Sequence, residues 1–233
     1  MNSSKPSWKE IIAFAIGDGG CNLVWTTIGS YLTLYYTDSV GLATAFIGTM
    51  MLLTRLLDGV SDLIMGSILD RTHTRWGKAR PWVLWTAIPM GLGLVIVFTI
   101  PSGLSEGGKM AWATITYILM AVVIYTACNL AYNTLLSLEA PDPKDRVLMS
   151  SIRFFLTMGT VLFINYNVNS LVEKFGWTGM ALIFGVLAAA LLLITFAGTK
   201  ERTNVEKNTA KVQKKEDKVS VWESFKLLFK NKY

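Results

Sequence analysis

Three charged side chains, Arg55, Asp58 and Asp62, interrupt an apolar stretch that runs from about residue 45 to residue 69. They are spaced three and four residues apart. On an α-helix they therefore share one face, and the two carboxylates lie one turn apart, about 6 Å along the axis. Each charge at the centre of a bilayer costs about 2.5–3.5 kcal/mol, so the three oppose insertion by roughly 8–10 kcal/mol before any pairing. This charged face is expected to contact protein or water and to mark a functional site.

The two carboxylates of the charged face suit two kinds of chemistry. Carboxylate oxygens on adjacent turns are ligands for a hard cation such as Na⁺. The same pair can carry a proton, because two desolvated like charges favour protonation of one of them. A structural role is the alternative, in which Arg55 pairs with Asp58 and Asp62 bonds a neighbouring helix. The sequence leaves both roles open, and with them the choice between Na⁺ and H⁺.

The composition places these residues in a membrane protein, because 52% of the residues are hydrophobic and only 16% are charged. A helix needs about 20 apolar residues to cross a bilayer. We predict an all-α integral membrane protein with six transmembrane helices and the lipid bilayer as its environment. The predicted spans are residues 11–36, 45–69, 82–100, 111–138, 148–171 and 177–198.

The positions of Lys and Arg predict the orientation, because cytoplasmic loops are enriched in both. Basic residues cluster before the first span, between the second and third, between the fourth and fifth, and after residue 198. The opposite side carries only Lys109 and Lys174. Both termini are therefore expected in the cytoplasm. This arrangement also accounts for the net charge of +6 without a nucleic-acid partner.

Catalytic and metal-binding clusters are not apparent in the sequence. Cys21 and Cys128 both lie inside predicted spans, and His73, the single histidine, lies in a basic loop. Membrane hydrolases generally need His, Cys or acidic groups clustered around a nucleophile or a metal. We therefore expect neither an enzyme nor a bound cofactor.

Six spans with short loops suit two three-helix units of inverted topology. The segment Cys-Asn-Leu-Val-Trp at 21–25 in the first span is echoed by Cys-Asn-Leu-Ala-Tyr at 128–132 in the fourth, the equivalent helix of the second unit. We expect residues 1–198 to form the six-helix bundle. Residues 199–233 begin as a polar linker and end in an amphipathic pattern formed by Val221, Trp222, Phe225, Leu228 and Phe229.

Several motifs resemble the glycoside–pentoside–hexuronide:cation symporters, the melibiose-permease family within the major facilitator superfamily. The first span is similar in Gly-Asp at 17–18, Asn-Leu-Val-Trp at 22–25 and Tyr-Tyr-Thr-Asp at 35–38. The more specific match is Arg-Leu-Leu-Asp-Gly-Val-Ser-Asp at 55–62, followed by Thr-Arg-Trp-Gly-Lys-Ala-Arg-Pro-Trp at 74–82. Family members have twelve helices, and this chain resembles the N-terminal six with the central cytoplasmic loop. The resemblance therefore implies one major-facilitator half, with a C-terminal six-helix half expected as its partner.

The resemblance also implies a function and two sets of site residues. It implies symport of a glycoside with a monovalent cation or proton across the cytoplasmic membrane. The cation site would consist of Asp58, Asp62, Ser61 and Thr126, with the two carboxylates as metal ligands if the ion is Na⁺. The cavity for the sugar would be lined by Asp18, Asn22, Tyr125, Asn129 and Arg153.

Asn22 and Asn129 separate this chain from family members that carry galactosides, which have acidic residues at both positions. Two charged acceptors are thus replaced by amides, and we do not carry over galactoside specificity. Either amide could instead join two helices by hydrogen bonds. A non-transporting fragment, or a half-transporter that needs a second six-helix bundle, is the alternative function. The segment Gly-Ser-Ile-Leu-Asp-Arg at 66–71 resembles the major-facilitator loop signature, which implies either a charge clamp or simply positive-inside topology.

Overall fold

The computed structural model describes residues 5–202, whose regular secondary structure is helical apart from one isolated bridge between Thr74 and Gly77. The all-α prediction is confirmed for these residues. The predicted amphipathic helix near residues 221–229 lies outside the described residues and stays a prediction. The helices are α1 (Trp8–Leu34), α2 (Thr44–Arg71), α3 (Arg80–Val97), α4 (Glu106–Ile118), α5 (Thr126–Glu139) and α6 (Pro143–Gly198).

Two π-helical segments and one break modify these helices. The segment Tyr35–Ser39 extends α1, and the segment Leu119–Tyr125 joins α4 to α5. Gly176 lies inside α6 with φ 70° and ψ 175°, a backbone conformation that is not helical and that favours glycine. The polypeptide therefore changes direction at Gly176, between the predicted spans 148–171 and 177–198.

Among residues 5–202, four helical stretches are long and apolar enough to cross a membrane. They are Trp8–Ser39, Arg80–Val97, Glu106–Glu139 and Pro143–Gly198. Helix α2 has 28 residues, but the charged face interrupts its apolar sequence. The prediction of an all-α membrane protein is therefore confirmed, whereas the number of membrane crossings stays a prediction.

The helix starts follow ordinary capping chemistry. Ser7 accepts a hydrogen bond from the backbone N–H of Glu10, and the Glu10 carboxylate accepts one from the Ser7 N–H at 2.6 Å, which forms a capping box before α1. Asp142 caps α6 by accepting from the N–H of Lys144 at 2.9 Å, with Pro143 at the first helical position.

Close helix contacts depend on small residues. Helix α6 packs against α1 and α3, and Gly91 of α3 meets Gly185 of α6 backbone to backbone. A Cβ atom on Gly91 would lie 2.5 Å from the carbonyl oxygen of Gly185, so no side chain fits at this crossing. The α1–α6 contact also includes a hydrogen bond from the Thr195 hydroxyl to the carbonyl oxygen of Ala13, 2.8 Å long. Such small-residue crossings are typical of helices in membranes.

Side-chain contacts hold the loop between α2 and α3, residues 72–79, in place. The Lys78 ammonium pairs with the Asp70 carboxylate at 2.6 Å. The Glu201 carboxylate, just after α6, accepts hydrogen bonds from the backbone N–H groups of Lys78, Ala79 and Arg80 at 2.7, 2.7 and 2.8 Å. A carboxylate at the start of a helix is favourable because it satisfies unpaired N–H groups and complements the helix dipole. Glu201 thus caps α3.

Large apolar side chains are exposed on α2 and on the part of α6 that precedes Gly176. Leu63 of α2 is 76% exposed and Tyr166 of α6 is 86% exposed. Both helices therefore present faces for lipid or for another protein surface. The other strongly exposed members are Leu52, Leu53, Leu56, Val60 and Ile64 on α2, and Val147, Phe154, Phe155, Leu162 and Phe175 on α6.

Candidate functional site

The charged face of α2 is organised around Asp58. Its Oδ2 atom lies 3.7 Å from Nη1 of Arg55, at the long end of the range for an ion pair. Its Oδ1 atom is buried and has no hydrogen-bond partner among the described residues. A buried carboxylate oxygen without a partner is costly, and this cost falls if a cation or a proton binds there.

Ser61 and Thr126 join α2 to α5 beside Asp58. The Ser61 hydroxyl donates to the carbonyl oxygen of Asp58 at 2.9 Å and lies 3.4 Å from the Thr126 hydroxyl. The Thr126 hydroxyl also lies 3.3 Å from the carbonyl oxygen of Ala121, five residues earlier, as the adjoining π-helical segment allows. The structure therefore brings three of the four predicted cation-site residues together, and Asp62 lies exposed one turn further along α2.

Within residues 5–202, no group of three or more His, Cys, Asp or Glu side chains is placed to hold a metal ion. A cation bound at the charged face would therefore have at most two carboxylate ligands.

Asp18 is the centre of a second cluster, which joins α1 to α6. Its Oδ1 atom lies 3.4 Å from Nε of Arg153. Its Oδ2 atom accepts hydrogen bonds from the Thr157 hydroxyl and from the Asn22 amide, the latter at 3.1 Å. Asp18 is buried, and both of its carboxylate oxygens are occupied by partners within the protein.

Arg153 extends this cluster to α5. Its Nη1 atom donates to the side-chain oxygen of Asn133 at 3.0 Å, and the Asn133 amide donates to the side-chain oxygen of Asn129 at 3.1 Å. The guanidinium carbon lies 5.5 Å from the centre of the Tyr132 ring. We call the resulting set the polar network. Its members are Asp18, Asn22, Asn129, Asn133, Arg153 and Thr157.

Asn133 and Thr157 were not predicted as site residues. Each lies four residues after a predicted one, Asn133 after Asn129 and Thr157 after Arg153, and therefore on the same helix face. This spacing is the sequence signal that could have identified them.

Tyr125, the predicted aromatic site residue, stacks on Trp25 of α1. The two rings stack with centroids 4.3 Å apart and planes 20° apart. The guanidinium carbon of Arg55 lies 4.8 Å from the centre of the Trp25 ring. An aromatic contact therefore links the charged face to the helix that carries Asn22.

The two echoed segments of the sequence meet in the structure. Cys21 and Cys128 are buried free cysteines whose sulfur atoms lie 3.9 Å apart. Asn22 and Asn129, each the next residue along the chain, are consequently held on neighbouring helices. The polar network offers amide and guanidinium donors and amide acceptors beside aromatic rings, an arrangement suited to a hydroxylated ligand.

Comparison with protein families gives a match to the family described as MFS/sugar transport protein, over residues 13–233. The match includes every helix of the structure except the first turn of α1. It confirms the resemblance to the glycoside–pentoside–hexuronide:cation symporters that the motifs indicated.

Three curated relatives illustrate the similarity. The isoprimeverose transporter of Lactiplantibacillus pentosus is 37% identical over 204 residues, 84% of this chain and 42% of that protein. The inner membrane symporter YicJ of Escherichia coli (strain K12) is 36% identical over 232 residues, 96% of this chain and 49% of that protein. The putative glycoside/cation symporter YagG of the same organism is 38% identical over 205 residues, 85% of this chain and 44% of that protein.

The chain thus spans less than half the length of these relatives. The family match extends over nearly all of it, and the helices that carry the charged face and the polar network lie within the matched residues. The chain belongs to the MFS/sugar transport protein family, a family of membrane transporters and not of enzymes.

Proposed function

We propose that this chain forms one half of a carrier that moves a glycoside across the cytoplasmic membrane together with Na⁺ or H⁺. The observation that carries the proposal is the buried Oδ1 atom of Asp58, which has no hydrogen-bond partner among the described residues. In our proposal this oxygen binds the coupling cation or proton. Similarity to a putative glycoside/cation symporter supports the same activity.

Two features of the helices support our proposal of six membrane crossings. Helix α6 has 56 residues and would be about 84 Å long if straight, far more than one crossing needs. The break at Gly176 divides it into two segments that are each long enough to cross. Helix α2, at about 42 Å, is also long enough, and we propose that it crosses with its charged face turned towards protein. With six crossings, both termini lie on the cytoplasmic side, as the basic loops predict.

The surroundings of Asp58 support a cation or proton site better than a purely structural ion pair. Arg55 is too distant for a short charge-assisted hydrogen bond, and its side chain is 60% exposed. The hydroxyl groups of Ser61 and Thr126 supply neutral oxygens on the side of α5. A Na⁺ ion would use these oxygens with the two carboxylates, and a proton would need Asp58 alone.

The polar network supports a glycoside as substrate. Arg153, Asn129 and Asn22 supply hydrogen-bond donors and acceptors for hydroxyl groups, and Tyr125 supplies an apolar ring face. Asn22 and Asn129 are uncharged, which favours a glycoside that needs no carboxylate acceptor at these positions. The similarity to an isoprimeverose transporter makes that sugar the first one to test.

A second six-helix bundle completes the carrier in our proposal. The chain spans 42–49% of the relatives described above. The exposed apolar faces of α2 and α6 lie on the helices that carry the charged face and Arg153, so a second bundle seated on them would close both sites. We call this chain together with that bundle the assembled carrier.

The test is accumulation of radiolabelled isoprimeverose by vesicles that contain the assembled carrier, with an imposed Na⁺ or H⁺ gradient. Asp58→Asn removes the negative charge at nearly constant size. We expect it to lower the affinity for the coupling ion at least about tenfold, the equivalent of about 1.4 kcal/mol, and thereby to lower gradient-driven accumulation. Exchange of isoprimeverose at equal concentrations should persist.

Asp38→Asn is the matched control, because Asp38 is an exposed carboxylate whose described partner is the neighbouring Thr37 hydroxyl at 2.8 Å. It should accumulate the sugar like the unmodified carrier. Full accumulation by Asp58→Asn would refute the role of Asp58. Failure of the unmodified carrier to accumulate isoprimeverose or any other glycoside with either ion would refute the proposed function.

A further inference from the structure

We infer that Trp25 couples the two sites, so that occupation of the charged face changes the affinity of the polar network for its ligand. This inference rests on the proposed function and adds a residue that neither proposed site contains. Trp25 touches Arg55 of the charged face on α2 and Tyr125, which lies about one turn before Asn129 of the polar network.

The Trp25 indole has two described ring partners. The Tyr125 ring stacks on it at 4.3 Å, with planes 20° apart, and the Arg55 guanidinium carbon lies 4.8 Å from its centre. Among the aromatic side chains, tryptophan attracts a cation most strongly over its face. Trp25 is also partly buried against the core, which restricts its movement to small changes in tilt or position.

Arg55 is shared between the indole and Asp58. Its Nη1 atom lies 3.7 Å from Asp58 Oδ2, so neither attraction is at its shortest distance. A proton on Asp58 removes the charge that attracts Arg55, and a Na⁺ ion there also repels the guanidinium. In both cases the balance shifts towards the indole. Occupation of the charged face therefore changes the force on Trp25 whichever ion is used.

There is space beside Arg55 for such a shift. A cavity of about 270 Å³ is lined by Trp25, Arg55, Gly29 and Gly48, among others. A Cβ atom on Gly29 or on Gly48 would meet no atom within 4 Å. The guanidinium can therefore move relative to the indole without displacing the backbone.

Through Tyr125, Trp25 also contacts the stretch of chain that contributes Thr126 and Asn129 to the two sites. Tyr125 stacks on the indole, and the next residue, Thr126, contacts Ser61 beside Asp58. Adjacent residues of a helix point about 100° apart, so Tyr125 can contact α1 while Thr126 contacts α2. Asn129 follows Tyr125 by about one turn on the same face. A tilt of Trp25 thus reaches an amide of the polar network through Tyr125.

The test measures the affinity of the assembled carrier for isoprimeverose by calorimetry, with and without saturating Na⁺ and at two pH values. The ratio of affinities with and without the coupling ion is the coupling ratio, which for allosteric pairs is about 5–150. We expect a ratio in this range for the unmodified carrier. Trp25→Leu, which removes both ring contacts, should bring it close to 1 while the affinity without ion stays within about threefold.

Trp112→Leu is the matched control, because Trp112 lies partly exposed on α4. It should keep the full coupling ratio. An unchanged coupling ratio in Trp25→Leu would overturn the inference. Should Trp25→Leu bind neither ligand, Trp25→Phe decides, because a smaller ring weakens both contacts without emptying the space. A lower ratio in Trp25→Phe supports the inference, and an unchanged ratio overturns it.

The unmodified carrier separates this inference from the proposed function. If its affinity for isoprimeverose depends neither on Na⁺ nor on pH, cation coupling itself fails, and the inference fails with it. If the unmodified carrier is coupled and Trp25→Leu is equally coupled, only the role of Trp25 fails.

Discussion

At the scale of single residues, Asp18 and Arg153 have different roles in the polar network. Asp18 is buried, and both of its oxygens bind Arg153, Thr157 or Asn22. It is therefore suited to hold other side chains in position. The Arg153 side chain is more exposed, at 29%. We infer that Arg153 contacts the ligand and that Asp18 orients it.

The substitution Arg153→Lys tests this division. A lysine ammonium is a point charge and cannot reproduce the planar fork that reaches Asp18 and Asn133 together. Loss of one charge-assisted hydrogen bond costs about 1.5–3 kcal/mol, so isoprimeverose affinity of the assembled carrier should fall at least about tenfold. Calorimetry gives the affinity, and thermal unfolding of the same sample gives the stability.

Two outcomes of that pair of measurements are informative. Weak affinity with nearly normal stability assigns Arg153 to the ligand. Normal affinity with reduced stability would make Arg153 a structural partner of Asp18 and remove it from the site.

The sequence predicts contacts within one helix, but it does not predict contacts between helices. The i, i+3 and i, i+4 spacings placed Arg55, Asp58 and Asp62 on one face, because helix geometry alone decides that. The contacts of Arg153 with Asn133 and of Trp25 with Tyr125 join different helices. They depend on how each helix is rotated about its axis, and hydropathy does not report this rotation.

At the scale of helices, small residues decide how closely α3 and α6 approach. Apolar composition predicted that these helices exist, because the bilayer requires long apolar segments. It did not predict the π-helical segment Leu119–Tyr125, since its side chains are as apolar as those of an α-helix. Nor did it predict the crossing of Gly91 and Gly185, which is a tertiary contact between two glycines among many.

The substitution Gly185→Ala tests the crossing. Its Cβ atom would lie 2.6 Å from the carbonyl oxygen of Gly91, which is backbone and cannot rotate away. We expect the helices to separate and the free energy of unfolding to fall by about 1–3 kcal/mol. Thermal unfolding of the chain in detergent measures the change.

Gly159→Ala, in the same helix, is the matched control. A Cβ atom there meets nothing within 4 Å, and alanine favours a helix over glycine by about 1 kcal/mol. It should leave the stability unchanged or raise it. Equal stability of the Gly185→Ala variant and the unmodified chain would show that the crossing tolerates a side chain.

At the scale of the whole molecule, two observations agree: α2 and α6 expose apolar faces, and the chain spans less than half the length of its relatives. The side chains that line the charged face and the polar network come from α1, α2, α5 and α6. Alternating access in major-facilitator carriers moves one bundle against another around a central site. One bundle has nothing to move against, so we expect residues 1–233 alone to insert into a membrane without transporting sugar.

The central claim is that glycoside and cation move together. The most direct measurement adds isoprimeverose outside proteoliposomes of the assembled carrier, without any ion gradient, and follows radioactive sodium and internal pH. We predict that the sugar drives inward movement of Na⁺ or H⁺ in a constant ratio to its own uptake, and that residues 1–233 alone move neither. Saturable uptake of the sugar without movement of either ion, or coupled uptake by residues 1–233 alone, would contradict the account.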